Sequence, residues 1–321
     1  MSQQEIKDIH DVISKGRLDI LIIYHEKGGP LSTQMCEEAA RYGHIDCLKY
    51  LHENRCPWDE ETCISAAEYG HLDCLKYAYE NGCPWNEWTC RCAANKGHLK
   101  CLKYAYENGC PWNEETYNGA AEFGHLDCLK YAYENGYPWN ENVCAWAAMG
   151  GNLNCLKYLH KNGCPWPERT CYLHEELYYF PFNNVKLVRL LKCLKYAHEN
   201  GCPWSTETCS WFATWGAINC LKYAHENGCP WDEETCERAA DSFESGHSNI
   251  DCLKYAHENG CPYPQELKST IVKNILIPKW RAAVKIRPYI LHWIEDTSKT
   301  LCAETGKGRK RDYDTFVEDF I

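Results

Sequence analysis

A four-residue motif, Cys-Leu-Lys-Tyr, recurs through most of this 321-residue chain at a nearly fixed interval. The intervals between successive copies are 27, 27, 27, 27, 38, 27 and 32 residues. A degenerate first copy at residues 16–30 brings the number of repeats to nine. A chain that repeats so short a unit folds by stacking its copies, because one unit cannot bury its apolar face alone. The motif cysteines are Cys47, Cys74, Cys101, Cys128, Cys155, Cys193, Cys220 and Cys252.

Each repeat carries the pattern of two helices. In the segment HLDCLKYAYEN, the spacing of Leu72, Leu75 and Ala78 places them on one helical face. The Asn-Gly at 81–82 signals a helix end, and the Cys-Pro-Trp that follows predicts an extended turn, because the residue before proline avoids the helical region. We call the helix that contains Cys-Leu-Lys-Tyr helix B of its repeat.

The helix before helix B, called helix A, is predicted to be short, for example from about Thr62 to Tyr69. Asp59 or Asn86 stands at its N-cap, and glutamates follow in the first turn, where the helix dipole favours them. An Ala-Ala pair keeps its side chains small, so that neighbouring A helices can approach closely. No segment alternates like a strand. The sequence therefore predicts an all-α, helix–turn–helix solenoid of about nine repeats.

Two repeats carry insertions between helix A and the following helix B. The two cysteines that flank this loop are 22 residues apart for Cys171 and Cys193 and 16 residues apart for Cys236 and Cys252, against 11 in a regular repeat. Both insertions are expected to project from the same edge of the stack.

The two ends of a stack need covers, because each terminal repeat leaves one apolar face without a neighbour. An N-terminal helix with Ile6, Ile9, Val12 and Ile13 is predicted to cap the first repeat. The expected domains are a repeat array at residues 1–265, C-terminal capping helices at 266–296 and a short mobile tail at 297–321.

The charge of the chain disfavours a nucleic-acid surface. The net charge is −11, and because residues 267–321 carry +4, the repeats before them carry −15. Phosphate binding needs clustered Lys and Arg. No apolar signal core or membrane-spanning run is present, so we expect a monomeric protein that is intracellular, cytoplasmic and not secreted. The basic cluster at 307–311, which contains Lys307 and Arg311, is either a solvated tail or a nuclear import signal.

The 24 cysteines follow the repeat. Equivalent residues of stacked repeats lie roughly 8–10 Å apart, too far for a disulfide. Pairs seven residues apart, such as Cys56 with Cys63, are not kept together either, since Tyr117 follows Cys110 at that spacing. We therefore predict small, buried, apolar side chains. Only Cys92 and Cys302 fall outside the repeated positions.

Neither a metal site nor a catalytic site stands out. His44 lies three residues before Cys47, a spacing that could supply two zinc ligands, but Cys155 persists where the histidine has become Asn152. In helix B, histidine exchanges with tyrosine, as at His52 and its equivalent Tyr79, which suits aromatic packing and not a general base. We expect no cofactor, no metal and no enzymatic activity.

The repeat resembles the ankyrin repeat over about residues 1–265. The string G-H-L-D-x-L-K-Y-x-x-E-N-G is similar to that family's second helix and its terminating Asn-Gly, and the Ala-Ala before Gly-His is similar to its first helix. The period is shorter than the family's usual value of about 33 residues, and Cys-Pro-Trp replaces the segment that makes the β-hairpin finger, so a simple turn is expected. Short Cys/Trp-rich repeats of this type resemble those abundant in giant DNA viruses of amoebae. The resemblance implies protein–protein interaction, with a host protein as a possible target, and no chemistry.

Helix B is nearly constant between repeats, whereas helix A varies after its cysteine. Variable positions are free of the demands of folding, and a recognition surface is one reason for them to differ; neutral drift is the other. We predict an unknown protein partner, with no nucleic acid and no membrane. The predicted partner-binding residues are Trp88, Arg91, Asn118, Trp146, Trp211, Trp215 and Arg238.

Three alternatives stay open. The tryptophans of Cys-Pro-Trp are expected to cover the gaps between adjacent loops, but they could form a contact stripe of their own. The chain could be a cysteine-rich protein that responds to metal or redox state. It could also be an adaptor that recruits a second factor through its C-terminal region. The ladder tryptophans are Trp58, Trp85, Trp112, Trp139, Trp166, Trp204 and Trp231.

Overall fold

The computed structural model describes residues 3–136, 139–140, 142–166, 184–244 and 250–264, with the backbone alone at 3–8, 184 and 241–244. These residues form seventeen helices and no strand. The chain divides into two compact units, Met1–Pro203 and Trp204–Ile321, and each is a helical repeat solenoid over its described part.

The first unit alternates A and B helices. Its A helices are α1 (Gln3–Ser14), α3 (Thr33–Arg41), α5 (Glu60–Glu68), α7 (Glu87–Asn95), α9 (Glu114–Phe123) and α11 (Val143–Met149). Its B helices are α2 (Leu18–Glu26), α4 (Ile45–Glu53), α6 (Leu72–Glu80), α8 (Leu99–Glu107), α10 (Leu126–Glu134), α12 (Leu153–Lys161) and α13 (Asn184–Glu199).

The second unit repeats the same alternation. Its A helices are α14 (Thr206–Thr214) and α16 (Glu233–Glu244), and its B helices are α15 (Ile218–Glu226) and α17 (Ile250–Glu258). The described residues of the two units together hold nine B helices, which confirms the nine repeats.

Helix A is as long as helix B, so the prediction of a short helix A was wrong. Helices α5 and α6 both contain nine residues. The carboxylate of Asp59 accepts a hydrogen bond from the backbone N–H of Glu61 at 3.2 Å and so caps α5. The helix therefore starts at Glu60, two residues before the predicted start at Thr62. The glutamates placed in the first turn by sequence therefore belong to the helix itself.

Eight of the nine described B helices end at an asparagine whose side-chain amide donates a hydrogen bond to the carbonyl oxygen four residues earlier. In α6, the amide of Asn81 donates to the carbonyl oxygen of Tyr77 at 2.8 Å, and the N–H of Cys83 donates to the carbonyl oxygen of Ala78 at 2.9 Å. Gly82 lies between them at φ +85°, a left-handed conformation that glycine adopts without strain. In the described repeats the Cys-Pro-Trp segment then forms a simple turn, as expected.

The closest helix packing runs between successive A helices, as α5 does against α3 and α7. The Ala66-Ala67 pair and its equivalents are buried there, because only small side chains let the helix axes approach. The leucines and cysteines of the B helices line the other side of the core. At the N-terminal end, Ile9 and Ile13 of α1 are buried, and this agrees with the predicted cap.

Part of each insertion lengthens a helix. Helix α13 has 16 residues because it starts seven residues earlier than a regular B helix, and α16 has 12. Residues 167–183 and 245–249, the predicted capping helices at 266–296 and the tail at 297–321 lie outside the described residues.

Candidate functional site

Three of the predicted partner-binding residues line one cavity in the first unit. Arg91, Asn118 and Trp146 come from α7, α9 and α11, three successive A helices, and enclose a space of about 250 Å³. The close packing of the A helices brings these side chains together across repeats. The other residues that line the cavity are Asn95, Glu115, Gly119, Glu122 and Phe123.

A basic and aromatic pair forms one rim of the cavity. The guanidinium carbon of Arg91 lies 4.5 Å from the ring centroid of Trp88, within the range of a cation–π contact. Arg91 Nη2 also lies 3.4 Å from a carboxylate oxygen of Glu115 on the next A helix. Trp88 is not one of the residues that line the cavity, but it lies against Arg91 at its edge and is 48% exposed, so it is accessible to a partner.

Two amide oxygens at the cavity are buried without a hydrogen-bond partner. They are Oδ1 of Asn118, whose residue is only 5% exposed, and Oδ1 of Asn95. Gly119 makes room for the second amide, since a Cβ at that position would collide with Asn95 Oδ1. A buried acceptor left unpaired costs about 1–3 kcal/mol. Both oxygens are inaccessible to a water-sized group, so a ligand in the cavity would reach them only after a side-chain movement.

An acidic side chain completes the cavity wall. Burial raises the pKa of the Glu122 carboxyl, and the nearby positive charges of Lys186 on α13 and of Arg91 oppose this shift. Asn152 holds the backbone here, because its amide donates to the carbonyl oxygen of Glu122 at 2.6 Å. The cavity is therefore lined by a cation, two carboxyl groups, two amide side chains with buried oxygens, and an indole.

In the second unit the predicted residues lie on α14 and α16. The rings of Trp211 and Trp215 are 6.2 Å apart, and both side chains are half-buried. Arg238 donates from Nε and Nη2 to a carboxylate oxygen of Glu234 on its own helix, at 3.0 and 2.8 Å.

Sequence reasoning missed the residues one helical turn further on. Asn95 and Glu122 follow Arg91 and Asn118 by four residues, which places each pair on one helix face. The positions equivalent to Asn95 and Glu122 hold Glu68 and Met149 in other repeats, so variation one turn further along helix A is the sequence signal for both residues.

The tryptophans of Cys-Pro-Trp pack between aromatic side chains of adjacent B helices, and not between loops as expected. The ring of Trp85 stacks on the ring of Tyr79 in its own repeat, with 3.6 Å between the ring centroids. It makes an edge contact with Tyr104 of the next repeat, with 6.3 Å between the centroids. His52 stacks on Trp58 in the same way at 3.9 Å, which explains why histidine and tyrosine exchange at this position.

The cysteines are buried, as predicted, but they also form pairs that the sequence analysis missed. All the described cysteines are buried except the half-buried Cys92. The thiol of Cys63 hydrogen-bonds to Cys83 of the following turn, and Cys83 donates to the carbonyl oxygen of Asp59 at 3.1 Å. The pairing joins a helix A cysteine to the Cys-Pro-Trp cysteine that closes the same repeat. The six pairs are Cys36–Cys56, Cys63–Cys83, Cys90–Cys110, Cys144–Cys164, Cys209–Cys229 and Cys236–Cys261.

The histidines that begin the B helices face the preceding repeat. His44 Nε2 hydrogen-bonds with the carbonyl oxygen of Ser14 at 3.0 Å, and its ring lies where a Cβ on Gly16 would be. Cys47, the second of the two potential zinc ligands, is buried in the core. Within the part of the chain that the structure describes, no group of three or more His, Cys, Asp or Glu side chains could hold a metal ion.

The stacked helix pairs and their shared A-helix cavity define a helical repeat protein with a candidate binding site on its A helices. Comparison with protein families gives the class more closely: residues 36–116 match a model described as ankyrin repeats (3 copies), and residues 120–160 match one described as ankyrin repeats (many copies). Ankyrin repeats are thus recognised over both segments. Such repeats generally bind other proteins and are typically scaffolds without enzymatic activity.

One solved structure similar to this chain is the ankyrin repeat domain of human ASB11. The two share 20% sequence identity with a TM-score of 0.46, and the match covers 57% of this chain and 96% of that one. In the comparison with curated proteins, no protein matches the sequence. None of the described helices has the length and the apolar character that a membrane span requires.

Proposed function

We propose that this chain is a protein-binding module and that the A-helix face of its first unit holds the partner. The observation that carries the proposal is the cavity between α7, α9 and α11, which brings together Arg91, Asn118 and Trp146 from positions that vary between repeats. The residues of this face are Trp88, Arg91, Asn118 and Trp146. We propose that Trp211, Trp215 and Arg238 form a second partner-binding surface within the second unit.

The constancy of the rest of the repeat supports this assignment. The leucines, alanines and cysteines that recur between repeats are buried in the hydrophobic core. Helix A positions after the cysteine do not recur, and three of them, Arg91, Asn118 and Trp146, meet at one cavity. Positions that folding does not fix therefore gather at one cavity, which favours a recognition surface over neutral drift.

The size of the cavity favours a protein over a small molecule. Pockets for small ligands occupy about 300–1,000 Å³, and this cavity is smaller, at about 250 Å³. It suits one side chain of a larger partner, which would gain further contact area from the exposed Trp88 at the rim.

Selection of peptides tests the proposal even while the partner is unidentified. A displayed library of random peptides is panned on the intact protein and on a variant with Trp88→Ala, Arg91→Ala, Asn118→Ser and Trp146→Ala. We expect peptides that bind the protein and lose at least tenfold in affinity for the variant. The control is Ile23→Ser on α2, a position exposed to 49%. Peptides that bind all three proteins equally would contradict the proposal.

The nature of the partner forms a second part of the proposal. On the resemblance of the repeats to those of giant DNA viruses of amoebae, we propose a host-cell protein, bound by a monomer of this chain inside the cell. An adaptor role would require the region 266–321, so deletion of that region should leave partner binding intact and abolish recruitment of any second factor.

The thiol pairs support a second candidate function, a response to redox state. The two thiols of a pair would transfer two electrons and two protons to a small-molecule disulfide such as oxidised glutathione. One S–S bond would form within the protein, and two molecules of reduced glutathione would leave. The bond would close a loop within one repeat, which stabilises a fold by about 3 kcal/mol for a loop of roughly this length.

Mapping of disulfides after oxidation tests this candidate. The protein is incubated with oxidised glutathione, free thiols are blocked with N-ethylmaleimide, and the linked peptides are identified by mass spectrometry. Bonds such as Cys63–Cys83 and Cys144–Cys164 are expected, while Cys155, where burial raises the thiol pKa to about 12, should stay reduced. Absence of these bonds, or links in random register, would remove the redox function.

A further inference from the structure

We infer that the C-terminal ends of the A helices in the first unit bind a proline-rich segment of a partner protein in the polyproline II conformation. This inference rests on the proposed protein-binding function and names the chemistry of the partner. The surface is a row of exposed aromatic side chains at the ends of α3, α5 and α9, which we call the aromatic row. Its members are Tyr42, Tyr69 and Phe123.

The aromatic row is continuous because its members occupy one position of the repeat, directly before the glycine that follows helix A. The repeat of α7 holds Lys96 at this position. Contacts join neighbouring repeats along the row: the guanidinium carbon of Arg41 lies 5.7 Å from the ring centroid of Tyr69. Lys96 Nζ lies 3.4 Å from a carboxylate oxygen of Glu68. Phe123 also lines the cavity between α7, α9 and α11, so the row reaches the proposed partner site.

The rings of the aromatic row are about half exposed. Tyr42 is 49% exposed, and Tyr69 and Phe123 are each 47% exposed. Folding does not require a ring at this position, because Lys96 and Gly150 occupy it in two other repeats of the first unit. Adjacent apolar groups that remain exposed on a folded protein are typical of an interaction site. The aromatic row is therefore a second element of the binding face.

The spacing of the rings matches one conformation of the ligand. Packed helices lie about 8–10 Å apart, and the buried Ala-Ala pairs let the A helices approach closely. A polyproline II helix has about three residues per turn and rises about 3.1 Å per residue, so it presents the same face about every 9.3 Å. An α-helix returns to one face about every 5.4 Å and a strand about every 6.7 Å. The polyproline II repeat alone falls within the spacing of the A helices.

Proline also suits the chemistry of the aromatic row. Aromatic-lined grooves bind proline-rich segments, because the polyproline II helix is preformed and loses little entropy on binding. Proline has no backbone N–H, so it leaves no donor without a partner against the rings. The spacing sets the register of the ligand. One proline lies over Tyr42, a second lies three residues further on over Tyr69, and a third lies six residues beyond it over Phe123.

The charge of the A helices favours basic residues beside these prolines. Helices α3, α5, α7 and α9 together contain nine glutamates and two arginines. The two arginines are already paired, Arg41 with Glu37 at 2.6 Å and Arg91 with Glu115 at 3.4 Å. Because the carboxylates outnumber the cations, this face attracts arginine or lysine in the partner segment.

Fluorescence anisotropy with two labelled peptides tests the inference. The first peptide is a run of ten prolines with two arginines at each end. The second replaces the prolines by five Gly-Ser pairs, which keeps the length and the charge but not the conformation. Each is titrated with the full-length protein, and we expect the proline peptide to bind at least tenfold more tightly. Equal binding of the two peptides, or no binding of the proline peptide, would overturn the inference.

Three variants test whether the aromatic row holds the proline peptide. Tyr69→Ser should weaken binding at least fivefold with an unchanged helical circular dichroism spectrum, because the ring is half exposed. Ile23→Ser on α2, at a position of similar exposure, is the matched control and should bind normally. Lys96→Tyr completes the row and should tighten binding at least threefold, a gain that misfolding cannot produce. Unchanged binding by Tyr69→Ser, or no gain from Lys96→Tyr, would contradict the assignment.

The result is independent of the peptide selection. If selected peptides depend on Trp88, Arg91, Asn118 and Trp146 but the proline peptide does not bind, the polyproline assignment fails and the protein-binding function stands. If the proline peptide binds through Tyr69 but no selected peptide discriminates the fourfold variant, the cavity fails as the partner site and the aromatic row stands.

Discussion

The thiol of Cys144 donates a hydrogen bond to the sulfur of Cys164, 2.9 Å away and twenty residues later in the chain. The same twenty-residue step joins Cys63 to Cys83 and Cys90 to Cys110. In the sequence, Tyr117 and Tyr137 depart from cysteine at these positions and are also twenty residues apart. Both members of this pair have changed together, so the two positions of a repeat are interdependent.

Interdependence predicts that the two thiols of a pair do not contribute independently to stability. Cys144→Ala and Cys164→Ala should each destabilise the fold by about 1 kcal/mol, and the double variant should lose about 0.5 kcal/mol less than the sum. Urea unfolding of the four proteins measures this coupling. Cys144→Ala combined with Cys47→Ala, several repeats away, is the control and should be additive. Additivity at Cys144 and Cys164 would contradict the role of the pair.

Replacement by alanine should destabilise the fold to different extents at two glycines of the repeat. Gly70 and Gly82 both have φ near +80°, so alanine at either should be strained by about 1–2 kcal/mol. A Cβ on Gly70 would also collide with the ring of His98, whereas nothing lies within 4 Å of a Cβ on Gly82. Gly70→Ala should therefore lower the melting temperature more than Gly82→Ala. Thermal unfolding of both variants checks the order, and equal losses would argue against a packing role for the histidine.

Two neighbouring tryptophans should behave in opposite ways. Trp85 is stacked between Tyr79 and Tyr104, so Trp85→Ala should destabilise the fold by about 2–3 kcal/mol. Trp88→Ala should cost under about 0.5 kcal/mol, because this ring is half exposed and contacts mainly Arg91. Chemical denaturation of the two variants gives the comparison. A larger loss for Trp88 would mean that it belongs to the structure and not to a binding face.

Because the carboxyl group of Glu122 is buried, its removal should increase the stability of the fold by an amount that depends on pH. Burial and the charge of Glu115 raise the pKa of this carboxyl, against the opposing charges of Lys186 and Arg91. The folded protein therefore binds this proton more tightly than the unfolded chain does. The stability that protonated Glu122 contributes is fully present at pH values below the glutamate pKa of the unfolded chain. It is lost as the pH rises through the pKa that Glu122 has in the folded protein.

The variant Glu122→Gln cannot ionise, so it should be more stable than the unmodified protein at neutral pH. This gain should shrink as pH falls towards the ordinary glutamate pKa of about 4.3, below which both proteins carry an uncharged side chain. Melting temperatures measured across this range test the sign, with Glu60→Gln at an exposed position of α5 as the control. A gain that grows on acidification would show that the charged form of Glu122 is the stabilised one.

Much of the fold follows from local sequence, because the signals act over a few residues. Asn81 and Gly82 end their helix, and Asp59 caps the next one, through hydrogen bonds that span at most about five residues. The pairing of Cys63 with Cys83 depends instead on how the turn folds back over helix A, which no spacing rule expresses. Short-range patterns therefore predict the repeat but not its internal thiol contacts.

The candidate site was predicted only in part for a similar reason. Variation between repeats pointed to Arg91, Asn118 and Trp146, which meet at the cavity. It did not reveal that Asn118 is almost fully buried, because burial is set by the neighbouring A helices α7 and α11. The partner-binding role of this face remains a prediction.

Site-specific photo-crosslinking tests the central claim most directly. A photoreactive phenylalanine derivative replaces Trp88 on the A-helix face or Ile23 on α2, two positions of nearly equal exposure, and the protein is irradiated in its native cells. The account predicts one dominant protein adduct from position 88 that is lost when Arg91, Asn118 and Trp146 are also replaced, and no such adduct from position 23. Equal adducts from both positions, or none from position 88, would contradict a recognition surface on the A helices.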